Sequence, residues 1–176
     1  LGHSMGGQIV GLMQSVNSFK KIITVASSYG NIQNFDQPIR RIGMKIAARS
    51  LFPLLNRLYG YFPANLLGMG MDWPYGVAED WRLWNSKYLS LKEWMDLQQK
   101  IHYFEGLKVP MTSYLLADDM MATASCIPHF LIDYPDTSIN MIAPKDYGLK
   151  ELGHFKTFRK QALPFWKVLL AALESQ

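Results

Sequence analysis

The chain has 176 residues, 49% of them apolar and 18% charged, which supports one domain with a real core and excludes a disordered or collagen-like chain. A net charge of +4 spread along the sequence argues against a nucleic-acid partner. The single cysteine, Cys126, excludes an internal disulfide framework and a multi-cysteine metal site, and no apolar run approaches the ~18 residues of a membrane span. Leu1 opens directly into a Gly/His/Ser turn with neither a basic region nor a hydrophobic run, so a cytoplasmic location is the expectation.

The first residues, Gly2-His3-Ser4-Met5-Gly6-Gly7, contain the pattern Gly-x-Ser-x-Gly. Apolar residues at 5, 9, 10, 12, 13 and 16 predict a helix starting near Ser4. In this pattern a serine sits on a tight strand-to-helix turn, with glycines that let the two elements approach. The strand feeding the turn would lie before residue 1, so the chain reads as a fragment. Residues 20–28 are β-branched and apolar and end at Gly30, as a buried strand of a parallel sheet does.

From 31 to 108 the pattern changes. Helical periodicity over 39–58 and 91–104 alternates with aromatic segments broken by Gly and Pro, and no strand is convincing. This region reads as a helical cap inserted into a core formed by 1–30 and 109–176. Strand character returns at 109–117, ending at Asp118-Asp119, and a helix over about 123–134 follows, which Pro128 disturbs or shifts. A third strand is predicted over 138–143, then a loop with Gly153-His154-Phe155, then a helix over 157–173. Pro164 implies that this last helix is kinked or starts late. The order of elements predicts the α/β class, parallel strands with flanking helices.

Ser4, Asp118-Asp119 and His154 fall where strands end, the place where catalytic groups gather in parallel α/β sheets. A serine hydroxyl is a weak nucleophile. It needs a histidine to take its proton and a carboxylate to hold that histidine in the right tautomer. The chain order Ser, Asp, His is the one associated with α/β-hydrolases.

Gly2-His3-Ser4-Met5-Gly6-Gly7 resembles the nucleophile elbow of α/β-hydrolase serine hydrolases. Leu115-Leu116-Ala117-Asp118-Asp119 resembles their acid-bearing strand end, and Leu152-Gly153-His154-Phe155 their histidine loop. Gly60-Tyr61-Phe62-Pro63, Trp73-Pro74-Tyr75-Gly76 and Trp81-Arg82-Leu83-Trp84 resemble the cap of a bacterial, largely uncharacterised subgroup. The resemblance implies the carboxyl-terminal portion of that fold, lacking the strands before the elbow and the loop that usually supplies one oxyanion amide.

The same resemblance implies Ser4 as nucleophile, His154 as general base and the Met5 amide as oxyanion donor. Asp119 is preferred as the acid because Met121 supplies the apolar residue two positions on, with Asp118 its rival. Neither a cofactor nor a metal is implied. The expected partner is a small acyl substrate, and an acyltransferase is the nearest variant. A non-catalytic half-domain is the reading from another class; it would need a second chain or self-association to complete its sheet.

Other residues carry plainer roles. His3 is expected to be a hydrogen-bonding neighbour of the elbow, and His102 and His129 to be structural histidines on helices. Cys126 is expected to be a small buried hydrophobe. Aromatics and methionines between 59 and 95 read either as the core of the inserted region or as the lining of an acyl pocket.

Overall fold

The computed structural model describes residues 1–29, 31–35, 37–68 and 70–174. The strands are β1 (Gly2–His3), β2 (Ile22–Val25), β3 (Tyr61–Phe62), β4 (Trp73–Pro74), β5 (Met111–Leu116) and β6 (Ser138–Ile142). The helices are α1 (Met5–Gln8), α2 (Pro38–Ile46), α3 (Phe52–Tyr59), α4 (Tyr75–Ser86), α5 (Leu91–Leu97), α6 (Ile127–Asp133) and α7 (Leu163–Glu174). They fall into two units, one of Leu1–Tyr29 with Ser90–Gln176 and the other of Gly30–Leu89.

The first unit holds a four-stranded sheet in the order β1-β2-β5-β6. All three pairings are parallel, with Gly2 opposite Thr24, Val25 opposite Tyr114, and Tyr114 opposite Asn140. Parallel strands must be covered on both faces, and every residue of β2 is accordingly buried. Ile23, Val25, Leu116, Ile142 and Leu152 pack with Phe165 and Leu169, which stand one turn apart on α7. Each of those two side chains is fully buried and contributes about 1.5–3 kcal/mol relative to exposure. This is the α/β class that the order of elements predicts.

Several boundaries differ from the sequence reading. Gly2–His3 is itself strand, paired with β2, so the turn at Ser4 does have a feeding strand within the chain. The helix after Ser4 is four residues long and gives way to a 3₁₀ turn over Val10–Leu12, because Gly6, Gly7 and Gly11 disfavour a longer helix. Helix α5 stops at Leu97, where Gln99 takes a positive φ of 52°, so His102 lies outside any helix. Pro128 and Pro164 both sit in the first turn of their helices, where a missing N–H costs nothing. The late start of α7 follows from this. Gly30, read as the end of the β2 segment, lies outside the described residues.

In the second unit the short antiparallel pair β3–β4 places Phe62 opposite Trp73, two strands the sequence does not reveal. Phe52, Phe62, Ala64 and Ala78 form its core with Trp73 and Trp81 against them. The rings stack, Phe52 on Phe62 at 4.0 Å and Phe52 on Trp81 at 5.7 Å. For these aromatics the core reading is the one the structure supports. Residues 90–108, grouped by sequence with the insertion, lie with the sheet-bearing unit.

Candidate active site

The local sequence around Ser4 dictates an uncommon backbone. Ser4 has φ 51° and ψ −121°, a conformation that costs a non-glycine residue about 1–3 kcal/mol. Its N–H donates to the Val25 carbonyl at 3.0 Å, extending the sheet by one bond, while its own carbonyl accepts from Gly7 N–H at 3.0 Å. Ser4 therefore belongs to strand and helix at once, which is how a side chain is pushed out at a sharp turn.

The turn is held from behind. Tyr134, at the end of α6, accepts from Gly11 N–H at 2.9 Å and donates to the Gln8 carbonyl at 2.7 Å. Gln8 Nε2 donates to the Ser28 carbonyl at 2.7 Å. Burial pushes the Tyr134 hydroxyl well above its ordinary value, so it stays a neutral donor. Sequence reading missed Tyr134, since nothing in the spacing of 8, 11 and 134 links them.

Ser4 Oγ lies 2.8 Å from His154 Nε2, and His154 Nδ1 lies 2.7 Å from Asp119 Oδ2. Ser4 is half-buried, whereas His154 is 9% and Asp119 5% exposed. The other Asp119 oxygen accepts from the amides of Met121 at 2.7 Å and Ala122 at 3.0 Å. Burial pushes this carboxyl up, but the hydrogen bond and charge of His154 with the two amides outweigh it, holding it below its ordinary value. The carboxylate is thus ionised and aimed.

Asp118 does not meet His154. Its Oδ2 accepts from Leu152 N–H at 2.8 Å, and both oxygens lie 3.1 Å from Gly153 N. Gly153 has φ 55°, so this carboxylate anchors the loop just before His154 at a point where the backbone turns. The adjacent aspartates thereby divide two tasks, one on the ring and one on the loop that carries it.

His3 Nε2 donates to the His154 carbonyl at 2.9 Å, and its ring packs against those of His154 and Phe158 at 5.1 and 4.6 Å. Burial lowers its pKa, against the raising effect of the bond to that carbonyl. Because the folded value lies below 6.5, the unfolded chain takes up this proton first. Stability is therefore expected to fall as pH drops below ~6.5, through the folded value of His3. Thermal midpoints from pH 8 to 5 should show a shallower decline for His3→Gln than for the parent chain.

The remaining candidates lie apart. His102 donates to Asp96 at 2.8 Å, His129 is buried on α6 beside Tyr29, and Cys126 is fully buried. Among the described residues no cluster of three or more His, Cys, Asp or Glu is placed to hold a metal ion. A cavity of about 590 Å³ runs along Val109–Met111 and Thr137, at the amino ends of β5 and β6 and away from Ser4.

No protein-family model matches the chain, and no curated protein does. Among solved structures it is similar to BpoC, a candidate non-heme bromoperoxidase from Mycobacterium tuberculosis, at 16% identity and a TM-score of 0.42, over 99% of this chain and 66% of that one. It is also similar to a variant of the N-formylmaleamic acid deformylase Nfo from Pseudomonas putida, at 15% identity and a TM-score of 0.41, over 96% and 64%. An esterase from a Rhodococcus species is similar at 14% identity and a TM-score of 0.38, over 98% and 64%. The chain thus spans about two thirds of the length of these structures.

Proposed function

We propose that the chain is a serine hydrolase of the α/β-hydrolase type, cleaving an ester, thioester or amide through an acyl-enzyme. The observation that carries this reading is the continuous hydrogen-bond chain from Ser4 through His154 to Asp119. Ser4 Oγ attacks the carbonyl carbon while its proton passes to His154 Nε2. Asp119 holds the Nδ1–H and stabilises the imidazolium without taking the proton. Met5, the first residue of α1, has an amide with no acceptor inside its helix, and this donor meets the developing oxyanion.

Collapse of the tetrahedral intermediate breaks the bond to the leaving group, which takes the proton from His154. Water then attacks the acyl-Ser4 and gives its proton to His154. The bond from the acyl carbon to Ser4 Oγ then breaks, Oγ takes that proton back from His154 Nε2, and the carboxylic acid is released.

A fluorescent fluorophosphonate tests this, because it reacts with a hydroxyl that a neighbouring base has activated. The expected label maps to Ser4 by mass spectrometry, is absent in Ser4→Ala and is strongly reduced in His154→Ala. A folded chain that takes no label at Ser4 would sink the reading and favour a non-catalytic domain.

A further inference from the structure

Helices α2 and α3 are joined without a break by a π turn over Ala47–Leu51. Pro53 explains the turn: it cannot donate, and its ring would clash with a carbonyl of the preceding α-helical turn. The apolar residues Ile39, Ile42 and Ile46 are spaced by three and four, as are Leu51, Leu54 and Leu58. Between the two sets the step is five, and that step falls on the π turn. Since a π turn closes i to i+5, it returns Leu51 to the face that Ile46 occupies. The extra residue keeps both sets in one stripe.

This stripe does not serve the core. Ile39 is 85%, Ile46 61%, Leu54 54% and Leu58 68% exposed, while Ala48, Phe52 and Asn56 turn inward. Isolated exposed leucines are ordinary, but six large aliphatic residues along one face are not. On one flank of the stripe run Lys45 and Arg49, four residues apart, and Arg57 two turns further on, all three exposed, while Arg41 on the same flank is tied to the Phe35 carbonyl at 2.9 Å. Residues 37–71 contain five Arg or Lys and no Asp or Glu.

We infer that this face docks on an anionic lipid bilayer, with the helix lying in the plane of the interface. A long aliphatic stripe with a cationic flank has the chemistry of an interfacial helix: the stripe enters the headgroup boundary and the cations meet lipid phosphates. Arginine and lysine stems can cover apolar surface while their heads stay in water, which suits that boundary. Spanning is excluded for this segment, because no helix among the described residues is long and apolar enough to cross a membrane. A second copy of the chain is a poorer occupant, since an antiparallel symmetric pairing would set one row of cations against another. The surface adds to the hydrolase reading and does not depend on it.

Co-sedimentation of the full chain with phosphatidylcholine vesicles, with and without about a third phosphatidylserine, tests the proposal. Binding should be at least about tenfold tighter to the anionic vesicles and should weaken as salt rises. Lys45→Glu combined with Arg49→Glu should lower it about 25-fold or more, at roughly fivefold per cation. Ile42→Ser combined with Leu54→Ser should lower it on both kinds of vesicle. Far-UV circular dichroism should stay unchanged in both variants, since these side chains are exposed. Equal binding to neutral and anionic vesicles, or no binding by a folded chain, overturns the proposal. So does a dimer in light scattering that the Ile42→Ser and Leu54→Ser pair dissolves, which would assign the stripe to self-association.

Discussion

Asp119→Asn is expected to slow fluorophosphonate labelling of Ser4 by about 10⁴-fold, the scale at which a triad loses its orienting carboxylate. The same change at Asp118 is expected to slow it by less than about tenfold. The difference follows from what each carboxylate holds. Asp119 Oδ2 accepts from His154 Nδ1 at 2.7 Å, which leaves Nε2 without a proton and able to accept from Ser4. An asparagine at 119 can present its amide N–H to Nδ1, favouring the tautomer in which Nε2 carries the proton. Ser4 then has no base. Asp118 holds only the amides of Leu152 and Gly153, and an asparagine oxygen can still accept from one of them. Its cost should appear in stability, at about 1.5–3 kcal/mol, the range for hydrogen bonds to a charged group. Labelling rates measured well below each variant's midpoint separate the two effects. A larger loss of rate from Asp118→Asn would reverse the assignment.

Gly7→Ala is expected to destabilise the chain by about 1–3 kcal/mol, lowering the thermal midpoint by roughly 2–10 °C. A methyl at Gly7 would lie 2.3 Å from Ser27 Oγ and 2.8 Å from Thr24 Cγ2. Ser27 and Thr24 are fully buried in and beyond β2, so neither side chain has room to withdraw. Relief must come from moving α1 off the sheet, which carries the Ser4 turn with it, and labelling should fall as well. Gly6→Ala is the control. Its added methyl meets nothing within 4 Å, and alanine is the better helix former by about 1 kcal/mol, so stability should hold or rise. Equal midpoints for the two variants would contradict the close approach of helix and strand at Gly7.

Much of this protein is legible in its residues taken in order. The buried strands announce themselves, because a parallel strand covered on both faces leaves a run such as Ile22-Ile23-Thr24-Val25 with no polar alternation. Pro128 and Pro164 flag the two helices whose expected starts, at 123 and 157, move to Ile127 and Leu163. The Ser4, Asp and His154 positions stand out because strand ends in such sheets converge on one side, and the parallel pairing of β1, β2 and β5 realises this.

What the order of residues does not contain is direction. Asp118 and Asp119 are neighbours of the same type, and only the three-dimensional course of the loop decides that one reaches the His154 ring and the other its backbone. The strands Tyr61–Phe62 and Trp73–Pro74 are too short for any period to register, and they exist because Phe62 and Trp73 close the aromatic core over Phe52. Tyr134 braces a turn more than a hundred residues away in sequence through its hydroxyl. Periodicity and local propensity depend on neighbours in the chain and can be read there. Which polar atom meets which is settled by packing, which brings distant residues within 3 Å and leaves adjacent ones facing apart.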